Sequence, residues 1–208
     1  MADEVSRRQA DPLRGVGESD EGKSMVENVA AETDELGVSE EVRQRALKMT
    51  PEMRELIFGI AKVVANADLE GARKHLTADF IDHESAPDLP IGPDGFIKVV
   101  EDVHKSFPDA AWEPEDLFAT DDRCFARVRF TGTQLGEYMG YAPTGKQVSV
   151  TQMHYYRVVD GKAVEHWGSR DVIRILQQLG VYSRVDSIEA TAAAAAAKAP
   201  TPYKTPMF

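Results

Sequence analysis

The hydrophobic pattern of this chain changes period once, at Phe107-Pro108-Asp109, and that switch limits the folds open to it more than any other feature. Upstream the period is helical: Met53, Leu56, Ile57, Ile60, Val63 and Val64 follow a Thr50-Pro51 start, and Leu69, Ala72 and Leu76 follow Asp68 as a cap. Phe96, Val99, Val100 and Val103 make a further stripe over 94–106. Thr caps and Pro fits the first helical position, so the helix from Pro51 is the firmest start. Downstream the period is two, with Cys124, Ala126, Val128 and Phe130 alternating with Phe125, Arg127, Arg129 and Thr131. Strands are predicted over 111–119, 123–133, 146–158 and 162–169, with turns at Asp121-Asp122 and Asp160-Gly161. A closing helix over 172–179 stops at Gly180. Helices segregated from hairpin-linked strands define an α+β fold, not a parallel α/β sheet. A curved sheet roofed by helices encloses a hollow that fills with side chains or holds a ligand.

The ends obey other rules. Residues 1–23 mix charges of both signs with few aliphatics and are expected to be a disordered tail. Residues 24–49 read as a short helical extension, with Ser24-Met25-Val26-Glu27 at capping-box spacing, and 50–183 as the folded domain. Residues 184–208 form an Ala-rich then Pro-rich tail: either a solvated terminus or a tether for a docking peptide of Tyr203, Met207 and Phe208. With 24 Lys+Arg against 35 Asp+Glu the net charge is −11, which repels phosphate backbones and anionic lipid, so neither nucleic acid nor membrane is an expected partner. The longest apolar run, 56–67, falls short of the ~20 residues of a bilayer span, and no apolar leader precedes it; a cytoplasmic location is expected. Cys124, the one cysteine, alternates with core positions and can make neither an internal disulfide nor a thiolate metal site; no metal is expected.

The Asp160-Gly161 hairpin allows a register argument. A two-residue loop pairs Tyr156 with Glu165, His154 with Trp167, Gln152 with Ser169 and Val150 with Asp171. Gln152, His154, Tyr156, Glu165, Trp167 and Asp171 would then share one face, apolar with a few polar tips, as a ligand pocket requires. His166 falls on the other face in this register, unless a bulge intervenes. Met153, Tyr155 and Val159 would lie outside, an apolar strip suited to pairing with a second copy.

The ordered set Phe80-Ile81-Asp82-His83, Phe107-Pro108-Asp109, Thr131-Gly132-Thr133, Gly136-x-x-x-Gly140, Pro143-Thr144-Gly145-Lys146, Glu165-His166-Trp167-x-x-x-Asp171 and Gln178-Leu179-Gly180 resembles the SnoaL-like polyketide cyclase (ester cyclase) family. The likeness covers about residues 50–182 and implies the NTF2-like cone-shaped barrel, a curved antiparallel sheet packed against N-terminal helices. It further implies cofactor-independent aldol-type cyclisation of a hydrophobic polyketide ester, and a homodimer. By resemblance His154 and His83 are pocket histidines; the alternatives are an interior His satisfied by a neighbour and a surface loop His beside Asp82 and Glu84. Asp171 matches the closing aspartate of the family pattern, and the competing role is the N-cap of the helix that follows. Glu165 would be a second carboxylate on the pocket face, and Trp112, with Tyr138, Met139 and Tyr141, would line the mouth or pack as core. Two departures matter. Gly168 stands where many members carry a carboxylate and cannot transfer a proton, and Gln134 stands where relatives often have His. Three readings follow: an acid/base enzyme on a small hydrophobic carbonyl compound, a non-catalytic binder with the same cavity, or a dimeric adaptor acting through its tails.

Overall fold

The computed structural model of the chain describes residues 27–31, 34 and 36–182. The expectations for 1–23, for the capping box at 24–27 apart from Glu27, and for the tail beyond 182 lie outside the described residues. Helix α1, Glu40–Ala46, begins at Ser39, whose hydroxyl accepts the Val42 N–H. Helix α2, Pro51–Asn66, starts as the sequence predicts, with Pro in its first turn and Thr50 Oγ1 accepting from Met53 N at 3.3 Å. Helix α3, Leu69–His75, follows; Asp68 holds the N-cap position but makes no side-chain cap bond there, contrary to its expected role.

Leu76, expected on that helix, instead opens strand β1, Leu76–Asp82, which the sequence does not announce. Its residues lack a clean alternation, and its partner lies far along the chain: β1 runs parallel to strand β5, Lys162–Ser169. Helix α4, Pro93–Ser106, crosses above the sheet, entered through Gly92 at a φ of 83°. Strands β2 (Ala111–Ala119), β3 (Arg123–Thr133), β4 (Gln147–Val159) and β5 form the antiparallel meander, and helix α5, Val172–Leu179, closes the fold. The sheet order is β1-β5-β4-β3-β2. Register shifts interrupt β2 between Pro114 and Asp116 and β5 beside Val158; such bulges bend strands and deepen twist, which curls the sheet around its inner face.

Three apolar clusters hold the elements together. Met53, Leu56, Ile60 and Val63 of α2 meet Phe80, Phe96, Val100 and Tyr156 under the curved sheet. Phe107, Phe130, Val148 and Val150 receive Ile175 and Leu179 of α5. The third answers whether the N-terminal extension packs or floats: Val29, Val42 and Ala46 are fully buried against Phe58 and Leu117. Polar staples complete the frame. Asp109 accepts from Thr133 N and Oγ1 at 2.6 and 2.7 Å, and Gln178 of α5 brackets the Ser149 backbone at 2.7 and 2.9 Å.

Candidate active site

The even-numbered residues of β4 form the inner wall of the cone. Gln152, His154 and Tyr156 stand opposite Val128, Ala126 and Cys124 of β3, and Gln152 and Tyr156 are buried. The β5 residues that join them differ from those the hairpin predicts. The turn itself is as expected: Asp160 and Gly161 both have positive φ, 49° and 73°, and Val159 pairs with Lys162 and Val158 with Ala163. Val164 then stands as an extra residue. Beyond it Arg157 pairs with Glu165, Tyr156 with His166, Tyr155 with Trp167 and His154 with Gly168.

A one-residue slip exchanges the faces of a strand. His166 therefore turns inward, while Glu165 and Trp167, expected in the pocket, turn outward. One signal favours the slipped register in advance: it matches Arg157 with Glu165 and Tyr155 with Trp167, an opposite-charge pair and an aromatic pair, which are the better cross-strand partners. On the outer face Arg157 Nε donates to Glu165, and His83 stacks on Trp167 with ring centroids 4.5 Å apart. His83 is thus no pocket histidine; its Nε2 lies 3.6 Å from Glu165 Oε1.

Asp171 is exposed and caps α5, accepting from Arg174 N at 3.3 Å, so the capping role is the one it fills. Gln134 is fully buried away from the hollow: its amide donates to the carbonyls of Gly136, Tyr141 and Ala142 and its oxygen accepts from Thr144. It pins the loop between β3 and β4. Of the expected residues, the structure brings together His154, Gln152, Tyr156 and Trp112.

Two unforeseen residues complete the group. Phe80 and Asp82 point inward from β1 while Ile81 points out, and Asp82 neighbours His166 across the parallel ladder. Asp82 Oδ1 lies 2.9 Å from His166 Nδ1, His166 Nε2 lies 3.0 Å from His154 Nδ1, and His154 Nε2 lies 3.3 Å from Gln152 Oε1, which also accepts from Trp112 Nε1 at 3.2 Å. The side chains of His166 and Asp82 are 1 and 3 % exposed. Burial would raise the Asp82 carboxyl, but the His166 hydrogen bond and charge, Arg170 and the Glu84 N–H outweigh it and hold Asp82 at about 2. His154 is pushed well down, first by burial and then by the nearby charges of His166 and Arg170. Burial raises the Tyr156 hydroxyl, so it stays a neutral donor, and pushes the Cys124 thiol to about 12, which leaves it inert.

The chain opens on an apolar hollow of about 60 Å³ lined by Phe96, Val100, Val103, Phe107, Phe130 and Ile175. A second hollow of about 80 Å³, under Ile57, Ile60 and Leu117, shares Val64, Trp112, His154 and Tyr156 with it. Arg170 stands at the first hollow and pairs with Glu84 at 3.3 Å. A Cβ on Gly168 would lie 3.0 Å from Glu84 Oε2 and 3.2 Å from His166 Cε1. The missing side chain is thus what lets Glu84 and Arg170 close beside His166. Among the described residues no group of three or more His, Cys, Asp or Glu is disposed to hold a metal ion. Nor is any described helix long and apolar enough to cross a membrane.

A curved α+β cone with ionisable side chains projecting into an apolar interior defines an NTF2-like protein. This chain belongs to the SnoaL-like polyketide cyclase family, whose model matches residues 55–179. It is 36% identical over 90 residues to the aklanonic acid methyl ester cyclase AcmA of Streptomyces galilaeus. That match covers 43% of this chain and 62% of AcmA, so the chain spans about three fifths of the curated relative's length. Among solved structures it resembles AclR of Streptomyces galilaeus, described as a proposed hydroxylase, at 33% identity and a TM-score of 0.56, covering 72% of this chain and 95% of that one. It also resembles IdmH of Streptomyces antibioticus, a proposed polyketide cyclase, at 31% identity and a TM-score of 0.55 over 62% of this chain and 99% of that one.

Proposed function

We propose that this protein is an ester-cyclase-type acid/base catalyst that needs no cofactor and acts on a small hydrophobic carbonyl compound of polyketide type. The observation that supports it is the buried Asp82–His166–His154 chain ending at an apolar hollow. In an aldol-type cyclisation a proton leaves a carbon flanked by two carbonyls, that carbon bonds to an internal ketone, and the ketone oxygen takes up a proton. The first proton is already acidic, so general acid/base help of ~10²–10⁴-fold plus positioning suffices. His154 is the residue placed to exchange a proton with the ligand. Gln152 Nε2 and the Tyr156 hydroxyl find no hydrogen-bond partner among the described residues and are available to a ligand oxygen. Trp112 supplies aromatic wall and Arg170 a cation at the rim.

The hollows are small beside the ~300–1,000 Å³ of a drug-sized site. A multi-ring ligand therefore requires α2 and α4 to move off the sheet, whereas a short-chain carbonyl compound does not. Catalysis predicts that His154→Ala lowers turnover of a β-keto ester bearing an internal ketone by ~10²-fold or more while the ligand still binds. The competing reading, a pure binder, is favoured by Gly168, which offers no carboxylate to the ligand. If wild type and His154→Ala bind alike and neither turns over any ester in a substrate panel, the binder reading replaces the catalytic one.

A further inference from the structure

We infer that the Asp82–His166–His154 chain rests with one proton more than two neutral imidazoles can hold, so that His166 is a buried imidazolium ion and His154 its neutral relay to the cavity. The purpose of such a device rests on the acid/base reading above; its derivation rests on hydrogen-bond polarity alone.

The polarity is set from both ends. Trp112 Nε1–H can only donate, and it meets Gln152 Oε1 at 3.2 Å, which identifies that amide atom as oxygen and excludes the flipped side chain. The same oxygen lies 3.3 Å from His154 Nε2, so that nitrogen must carry a hydrogen. At the other end the Asp82 carboxylate accepts from Glu84 N at 3.1 Å and from the Ser85 hydroxyl at 3.0 Å. An ionised carboxylate only accepts, so His166 Nδ1, 2.9 Å away, must also carry a hydrogen. Between the rings, His154 Nδ1 and His166 Nε2 are 3.0 Å apart. Two lone pairs do not face each other at that distance without a hydrogen between them. Three gaps need three hydrogens, and two neutral imidazoles bring two.

Electrostatics decides which ring bears the extra charge. His166 is faced by Asp82 from β1, Glu84 from the following loop, His154 and Tyr156 from β4, and Arg170 beyond β5, while α4 presents the Phe96 ring, edge-on at 6.4 Å, and the aliphatic Val99, Val100 and Val103 along the same hollow. Among the described residues the hydrogen bonds of His154 go to His166 and Gln152, and none goes to a carboxylate. The cation therefore sits on His166, in direct contact with Asp82, and the buried chain is neutral overall.

No imidazole nitrogen is then free to accept a proton from a ligand, so the chain first meets its ligand as an acid, and His154 Nε2 becomes the base for the carbon proton once it has given its own proton to a ligand oxygen. When a ligand oxygen replaces Gln152 Oε1 as the acceptor at His154 Nε2 and takes its proton, the Nε2 proton of His166 moves to Nδ1 of His154. His166 is left neutral with its Nδ1–H on Asp82, the ligand oxygen has gained one proton, and the chain has lost one. The reverse movement, with a ligand proton arriving at His154 Nε2, reloads it. Asp82 and Trp112 are positioning residues in this scheme: one holds the stored charge, the other holds the direction of the wire.

The test is nitrogen NMR of the histidine rings in the ligand-free, full-length chain labelled with ¹⁵N-histidine, with assignment by His166→Gln and His154→Gln. At pH 7 the His166 ring should show both nitrogens protonated and the His154 ring the neutral tautomer with hydrogen on Nε2. Asp82→Asn removes the anion and should return His166 to one protonated nitrogen. Trp112→Phe frees the Gln152 amide to flip and should lower the charged fraction of His166 at pH 7. Two neutral rings in the wild type overturn the inference, as does an imidazolium signal that both variants leave unchanged. These outcomes are independent of turnover: a charged His166 in a protein that converts no ester sinks the catalytic proposal and leaves the stored proton standing, and an active protein with two neutral rings does the opposite.

Discussion

Gly168 shows how one missing side chain can be structural and chemical at once. Its φ is ordinary, so space and not backbone freedom requires glycine there: an added methyl would press on Glu84 Oε2 and on His166 Cε1. Gly168→Ala is expected to cost roughly 1 kcal/mol, the low end for overpacking because the tip of Glu84 can yield, and to weaken the Glu84–Arg170 pair. Thermal unfolding measures the first effect; a change in turnover without a change in fold measures the second. A Gly168→Ala protein as stable as wild type would show that Glu84 is not held against His166. The same scale explains which site residues were legible. His154, Gln152 and Tyr156 alternate on one strand with buried apolar partners, so their common face follows from period alone. His166 and Asp82 did not follow, because each owes its direction to a neighbour in space.

At the level of elements, the β5 bulge at Val164 does most to shape the site. The Asp160-Gly161 turn is legible in the sequence and adopts its expected conformation, yet the register it dictates persists for only two pairs. Past the bulge, the face of every β5 residue is reversed, which puts His166 in the cone and Trp167 outside. β1 was hidden for a related reason: its stability comes from a parallel partner some eighty residues on, not from local alternation. Helix α5 is the opposite case, with a stripe, cap and stop that all lie within it. Asp171→Ala should cost about 1 kcal/mol through the lost cap and leave turnover essentially intact. A large loss of activity in a folded Asp171→Ala protein would restore this residue as a proton carrier and displace the β4 chain.

The whole molecule adds two expectations. Asp82 is held at about 2 against an ordinary 3.8, worth about 2 kcal/mol to the folded state. Because the folded value is depressed, that contribution is complete above about pH 4 and is lost as pH falls toward 2. Burial also lowers His75 and His154, so below about pH 6.5 the unfolded chain takes up protons that the folded chain resists. Unfolding midpoints should therefore drop in two stages as pH falls, and Asp82→Asn should shrink the lower stage, to which the lowered carboxyls of Glu55, Asp102, Asp109 and Glu165 also contribute. The second expectation concerns the outer face, where Phe118, Met153, Tyr155, Val159 and Trp167 are exposed side by side with His83. Two copies paired through this face should give a two-chain mass by light scattering, and glutamate at Met153 and Tyr155 should return one chain; a wild-type monomer at micromolar concentration removes the dimer.

The amino-acid order by itself determined what depends on near neighbours: the α+β class, the start of α2, the meander, the Asp160-Gly161 turn and the inward face of β4, since propensity, capping and alternation act over a few residues. Tertiary structure decided what depends on contacts between distant segments. It placed β1 beside β5, turned His166 toward Asp82 through one unpaired residue, and set Trp112 against Gln152. A proton chain is assembled from side chains of separate strands at hydrogen-bond distance, and a shift of one residue in any of those strands takes a member away.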